Sequence, residues 1–241
     1  MGSPCLHVAR RTYGRTSRIL EMDADGAAAA SSQQRYAAWK SQRETLLAKA
    51  AEPSLSARTV TSLVSTAAGR VAGESAQHRV DIERVERGDV ERPGGRRFGA
   101  LVHALLASID LNADAKALEA AAFVHGRIVG ASDEEVSAAV ATISRVLGHP
   151  ILRRAAGAGS SGLRRETPIL LTLDDRSIVE GVIDLAFRDE TADFTGWTVV
   201  DFKTDRELEE SSDRYVAQVS VYAQAVGAAT STPTRGILLI V

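Results

Sequence analysis

Cysteine is almost missing from this sequence, with Cys5 the only one among 241 residues. A single thiol cannot close an internal disulfide, complete a zinc site of the multi-cysteine kind or hold an iron–sulfur cluster, so packing alone must stabilise the fold. The expected setting is reducing and cytoplasmic. Aromatic residues are scarce at 5%, which leaves aliphatic side chains to fill any core. The formal net charge of -2 excludes a global basic field and speaks against a stand-alone polyanion-binding protein. Two local basic clusters survive that count: Arg92, Arg96 and Arg97, and then Arg153, Arg154, Arg164 and Arg165. No stretch approaches the roughly 18 consecutive apolar residues of a membrane span, and the N-terminus lacks the apolar core of a secretion signal. No membrane partner is expected.

What is present suits a soluble globular chain, since 44% hydrophobic and 25% charged residues supply enough apolar surface for a core. A helical pattern starts near Ala27, with a long helix expected from Gln33 to Ala51 and stopped at Pro53. Residues 1–95 cluster no catalytic residue types and read as a helical connector or docking region. The stretch from Arg79 to Arg97 is dense in both charge signs and ends in Pro93-Gly94-Gly95, so a solvated connector and a domain boundary are placed there. The second domain then covers residues 96–241.

Within it, Leu101, Val102, Leu105, Leu106 and Ile109 repeat at helical spacing after Phe98. Further helices are expected over Ala113–Val129 and Asp133–Leu147, the latter with Ser132 and Glu135 at capping-box spacing; His149-Pro150 ends the run. After the glycine- and serine-rich Gly157–Gly162, three strands are expected at Glu166–Leu173, Ser177–Arg188 and Trp197–Lys203. Helical period returns over Asp213–Val226, and Gly236–Val241 is a last apolar strand. The order is helices, a three-strand antiparallel meander, a helix and a further strand: a mixed α/β domain. A strand ending on the final residue suggests a piece of a larger protein.

Two of the expected strands carry charge where apolar residues surround it. In VVDFKTD, Asp201 and Lys203 stand two apart and leave the same strand face. In IVEGVIDLAF, Val179, Gly181, Ile183, Leu185 and Phe187 alternate with Glu180, Val182, Asp184 and Ala186. A carboxylate among Val and Ile costs several kcal/mol unless a cation or hydrogen bonds compensate it. Two readings meet that demand: a salt-bridged patch in which Lys203 neutralises the aspartates, or a metal site.

The sequence of GVIDL, VVDFKTD and QVSVY resembles the RecB/AddA-type branch of the PD-(D/E)XK nuclease superfamily, over about Arg97 to Val241. The resemblance implies a restriction-endonuclease-like core and a divalent-metal-dependent DNA nuclease. By it Asp184 and Asp201 hold Mg²⁺ or Mn²⁺, Lys203 assists hydrolysis, and Gln218 and Tyr222 support the site from the following helix. FGALVHALL is similar to the family's helical GxxxH segment, which makes His103 a third candidate ligand; Glu166 resembles an acidic residue of the family's first strand. Alone, His103 reads as a hydrogen-bonded core histidine and Glu166 as an exposed strand-start charge. Ile183 stands where the family name has proline, and the cysteine cluster of iron–sulfur relatives is absent.

The branch further implies an exonuclease attached to a helicase motor in double-strand-break repair and recombination. No G-x-x-x-x-G-K-[ST] loop occurs, so a motor must lie elsewhere in the polypeptide or complex. The alternative is a catalytically silent DNA-binding or interaction module of the same fold.

Overall fold

The computed structural model describes residues 26–53, 55–65, 78–86, 93–204 and 212–241. Cys5, Arg92 and Asp205, the last residue of VVDFKTD, lie outside them. The chain divides into two units, Met1–Ser54 and Leu55–Val241. The described part of the first is helix α1 (Ala27–Ala51), none of whose residues is buried. It covers the helix expected from Gln33 and begins six residues earlier, where alanines favour the helical state.

The second unit opens with strand β1 (Ala57–Thr59), helix α2 (Val60–Ser65) and strand β2 (Val80–Arg84). Four helices follow: α3 (Arg96–Ser108), α4 (Ala115–Val129), α5 (Asp133–Gly148) and α6 (Pro150–Gly157), with a single turn, α7, at Gly159–Gly162. Then come β3 (Leu163–Thr172), β4 (Ile178–Thr191), β5 (Phe194–Lys203), helix α8 (Ser212–Thr230) and β6 (Thr234–Ile240). The expected meander is present, because β3 pairs antiparallel with β4 and β4 with β5. After α8, β6 returns parallel to β5.

Local chemistry explains most boundaries. Asp114 caps α4 through Ala117 N–H, and Gly130, in the left-handed region, terminates it. Ser132 and Glu135 form the expected capping box on α5. His149-Pro150 ends α5, as expected, but it also starts a further helix, α6. Proline is well placed at the first position of a new helix, where its missing N–H costs nothing, and His149 Nδ1 accepts from Ile151 N.

The sheet also reaches N-terminal of the boundary expected near residue 95. Its order is β1-β4-β5-β6-β2, with β3 on the other side of β4. The charged segment read as a connector contains β2, held parallel to β6 from Val80↔Gly236 to Arg84↔Ile240. Its charges suit an edge strand, where they discourage pairing with another chain.

Each sheet face is covered. Leu101, Leu105, Ile143 and Ile151 of the α3–α6 layer cluster with Leu185, Phe187, Val200, Phe202 and Leu239. On the opposite face, Val60 and Leu63 of α2 and Val221, Tyr222 and Ala225 of α8 cluster with Val179, Ile183, Ala186 and Val199. Burying each such large side chain contributes about 1.5–3 kcal/mol. The expected alternation along β4 therefore breaks. Val179 and Ile183 face α8, but Leu185 and Phe187 face the helical layer, so the phase changes beside Asp184. At the same level β3 carries Glu166 with φ 43, an irregularity of the kind that redirects side chains next to functional sites.

Away from that level, Asp189 near the end of β4 is buried between Arg154 Nε (3.1 Å), Arg235 Nη2 (2.7 Å) and Thr198 Oγ1 (2.7 Å). Burial pushes its pKa up, but the hydrogen bonds from Thr198, Arg235 and Arg154 outweigh this and hold it below the usual carboxylate value. Its contribution to stability is present above the unfolded-state value near 3.9 and is lost as pH falls below it. Asp189→Ala, which leaves two arginines facing a vacated acceptor, is expected to destabilise the fold by about 2–4 kcal/mol in urea titration. That is somewhat below the range for fully buried pairs, since both arginines reach solvent. A loss under 0.5 kcal/mol, on the order expected of an exposed surface pair, would remove Asp189 as an organising charge.

Candidate active site

The site forms where two strands stop sharing one edge of β4. β5 pairs with β4 from Thr191↔Phe194 to Leu185↔Val200, whereas β1 occupies the same strand at Ile178, Val179 and Glu180. Gly181–Asp184 falls between these ladders. Phe202 N–H, just past the last β4–β5 pair, donates to Asp184 Oδ2 at 2.9 Å. A side chain thus replaces a ladder acceptor, and Asp184 is brought against Asp201.

Asp201 is buried, at 2% exposure. Burial and then the neighbouring Asp184 charge push its pKa up to about 6, while Lys203 and His103 pull in the other direction. Lys203 Nζ lies 2.6 Å from Asp201 Oδ2. Lys203 thereby supplies both a compensating charge and a hydrogen bond to the buried Asp201 carboxylate. Lys203 Nζ also donates to Phe202 O at 3.2 Å and sits 5.1 Å from the centre of the Tyr215 ring. Lys203 is therefore a largely buried side chain whose ammonium is held by a carboxylate, a carbonyl and an aromatic face.

His103 approaches from α3. The helix buries Phe98, Leu101, Val102, Leu105 and Leu106, which leaves His103 on its flank with Nδ1 3.7 Å from Asp184 Oδ2. From the opposite layer, α8 presents Tyr215, Gln218 and Tyr222 at helical spacing. Gln218 Nε2 donates to the Tyr222 hydroxyl at 3.0 Å. Burial raises the Tyr222 pKa; the Gln218 bond lowers it, and Asp201 and Asp184 raise it again, so the phenol stays neutral.

Of the seven residues expected from the sequence, Asp184, Asp201, Lys203 and His103 are gathered at the fork, and Gln218–Tyr222 stands behind them. Glu166 is exposed on β3, at the level of Asp184 in the β3–β4 register. Among the described residues no group of three or more His, Cys, Asp or Glu side chains is arranged to enclose a metal ion. The donor set instead offers two adjoining carboxylates, one of them buried, plus a nearby imidazole. That fits Mg²⁺, which keeps several waters and is commonly held by one or two carboxylates, better than it fits a closed protein cage.

Sequence reading misses two contributors. Tyr215, which faces Lys203, is legible only as a helical apolar position. Gly181 gives a clearer signal, because glycine inside an apolar strand often marks close approach. A Cβ there would lie 2.7 Å from Tyr222 Cε1 and 2.9 Å from Val60 Cγ2. Gly181→Val is accordingly expected to displace Tyr222 and to lower stability by about 1–3 kcal/mol, measured by chemical denaturation. A variant as stable as the parent would show that the tight contact between β4 and α8 is not required.

In comparison with known proteins, the family model of the PD-(D/E)XK nuclease superfamily matches residues 75–240. No curated protein matches the chain.

Proposed function

Because the chain belongs to the PD-(D/E)XK nuclease superfamily, we propose that Asp184, Asp201 and Lys203 form the centre of a divalent-metal-dependent DNA nuclease. The observation that carries this reading is the fork itself, where Phe202 N–H holds Asp184 close enough to the buried Asp201 for its charge to raise the Asp201 pKa, with the Lys203 ammonium 2.6 Å away. One lysine does not neutralise two adjoining carboxylates, and a divalent cation supplies the missing positive charge.

Asp184 and Asp201 hold Mg²⁺ or Mn²⁺, with the His103 imidazole as a third candidate donor better suited to Mn²⁺. The cation, when bound, supplies Lewis-acid polarisation of the phosphodiester and neutralises its charge. Phe202 N–H fixes the Asp184 carboxylate, so that ligand is oriented before substrate arrives. Lys203, protonated, sits where it stabilises the negative charge that develops as water attacks phosphorus and orients that water. The neutral Tyr222 hydroxyl and Gln218 border Asp201 and keep the α8 side of the site dry. Glu166, exposed at the same level, is the candidate for a contact reaching outward from the centre.

DNA is the proposed substrate. The finer reading follows the motif order GVIDL, VVDFKTD, QVSVY: a RecB/AddA-like exonuclease that works with a helicase motor of the same polypeptide or complex in double-strand-break repair and recombination. A test is cleavage of linear duplex and covalently closed circular DNA side by side with Mg²⁺. Loss of the linear form with sparing of the circle is expected, whereas equal cutting of both would replace the exonuclease reading by an endonuclease one.

A further inference from the structure

Each arginine of the second basic cluster is engaged by groups of its own chain, although Arg153 and Arg164 stay exposed. Arg153 Nε donates to Gly148 O, Arg154 pairs with Asp189, and Arg164 Nη1 donates to the carbonyls of Ser160, Ser161 and Leu163. Arg165 differs from these in what it connects. It lies on β3 directly opposite Leu185, the neighbour of Asp184. Its Nη1 donates to Leu106 O at 3.4 Å, to Ala107 O at 3.5 Å and to Ile109 O.

Those carbonyls belong to the C-terminal end of α3. A helix leaves its last carbonyls without internal partners and concentrates about half a negative charge there, so a guanidinium is matched to the position in both hydrogen bonding and sign. Arg165 is partly buried, and its nearest compensation is this set of carbonyls rather than a paired carboxylate; burial lowers its pKa and Asp110 opposes that. It remains charged, as arginine does in proteins.

α3 is also the helix that carries His103. Leu106 and Ala107 lie three and four residues beyond it, one turn along, on the side of the helix from which His103 projects. Arg165 thus holds two parts of the site at once. Its backbone is in register with the β4 residue beside Asp184, and its side chain grips the end of the helix that brings His103 to 3.7 Å from Asp184. A helix is stiff along its axis, so a clamp on the last turn fixes the height of a residue one turn earlier. Apolar packing of Leu101, Leu105 and Leu106 resists separation of α3 from the sheet, but smooth aliphatic contact resists sliding less well.

We propose that Arg165 is a positioning residue that sets the separation of His103 from Asp184, and through it the affinity of the site for a divalent cation. This rests on the metal-site reading of Asp184, Asp201 and His103 given above. The test is calorimetric titration of the full chain with Mn²⁺, using the parent, His103→Ala, Arg165→Met, Arg165→Lys and the His103→Ala/Arg165→Met double variant, with a thermal melt of each. His103→Ala and Arg165→Met are each expected to weaken Mn²⁺ binding by about 10–100-fold, the range for residues that support metal ligands. The double variant should bind no worse than His103→Ala alone, because Arg165 acts through the histidine. Arg165→Lys, with one ammonium to reach the same carbonyls, should fall between, and it serves if Arg165→Met does not fold.

A purely structural role predicts a lower melting temperature with unchanged Mn²⁺ affinity, and that result overturns the proposal. Fully additive losses in the double variant also overturn it. If His103→Ala binds Mn²⁺ like the parent, the positioning role is refuted while the carboxylate site stands. If the parent itself takes up no Mn²⁺, the metal-site reading fails, and this inference with it.

Discussion

Lys203→Ala is expected to bind Mn²⁺ at least as well as the parent while cutting DNA about 10²–10³-fold more slowly, the usual cost of removing one preorganised group that stabilises transition-state charge. The two halves of that result have separate causes. A protonated lysine has no lone pair for a metal and carries the same sign of charge, so its removal costs the ion nothing. It does cost the reaction, because the ammonium lies 2.6 Å from Asp201, a proposed ligand of the ion. Asp184→Ala and Asp201→Ala should instead lose Mn²⁺ binding and cleavage together. DNA affinity should fall only modestly in Lys203→Ala, since one cation among several phosphate contacts is a small part of the electrostatic total. The ion-pair alternative expects a different pattern. Without Lys203, Asp201 is left buried and uncompensated, the melting temperature drops, and Mn²⁺ does not restore it. Melts of Lys203→Ala with Mn²⁺ and with EDTA therefore separate the two, and cleavage at the parental rate would refute the role of the lysine outright.

In EDTA at pH 8, Asp201→Asn should be more stable than the parent although it cuts no DNA. The carboxyl titrates near 6 in the fold and near 3.9 in the unfolded chain. Between those values the native state retains a proton that the unfolded state has released, so stability falls as pH rises from about 4 to 6 and stays low above. At about 1.4 kcal/mol for each pH unit that separates the two values, the destabilisation at neutral pH is of order 1–3 kcal/mol. An amide of the same shape has no such cost. The parent should accordingly gain stability on acidification through pH 6, and the Asn variant should lack that gain, as read from urea titrations at pH 5 and pH 8. Asp189 acts in the opposite sense at lower pH, which confines the window for this comparison to above about pH 4.5, where its carboxylate stays ionised. Mn²⁺ affinity of the parent should rise through the same interval, because the ligand must lose its proton. Equal stability of the two proteins at pH 8 would mean that the Asp201 charge is already compensated by Lys203, and would favour the ion-pair reading.

The residues of the proposed site are legible because carboxylates inside apolar strands contradict the strand pattern, and such contradictions are expected at functional positions. Asp184 and Asp201 stand out in this way, and the geometry brings them together through Phe202 N–H. The order of meander, helix and strand follows from periodicity for the same reason: β3, β4, β5, α8 and β6 each have a long, clean pattern. What is not legible depends on partners distant in sequence. β2 reads as a charged linker until β6 is beside it, and β1 is too short to carry a pattern at all. The phase change at Asp184 cannot be seen in the alternation of residues along the strand, since it arises from the fork between the β1 and β5 ladders. Arg165 looks like one of four surface cations. Only the end of α3, 56 residues away in the chain at Ile109, makes it a helix clamp.

Cleavage of linear DNA by the full chain in Mg²⁺, repeated with excess EDTA and with Asp201→Asn, decides whether the fork where β5 leaves β4 is a metal-dependent hydrolytic site. Cleavage in Mg²⁺ that disappears in both controls is the expected result. DNA left intact in Mg²⁺ and Mn²⁺, or cut equally well in EDTA or by Asp201→Asn, would exclude metal-dependent hydrolysis at Asp201.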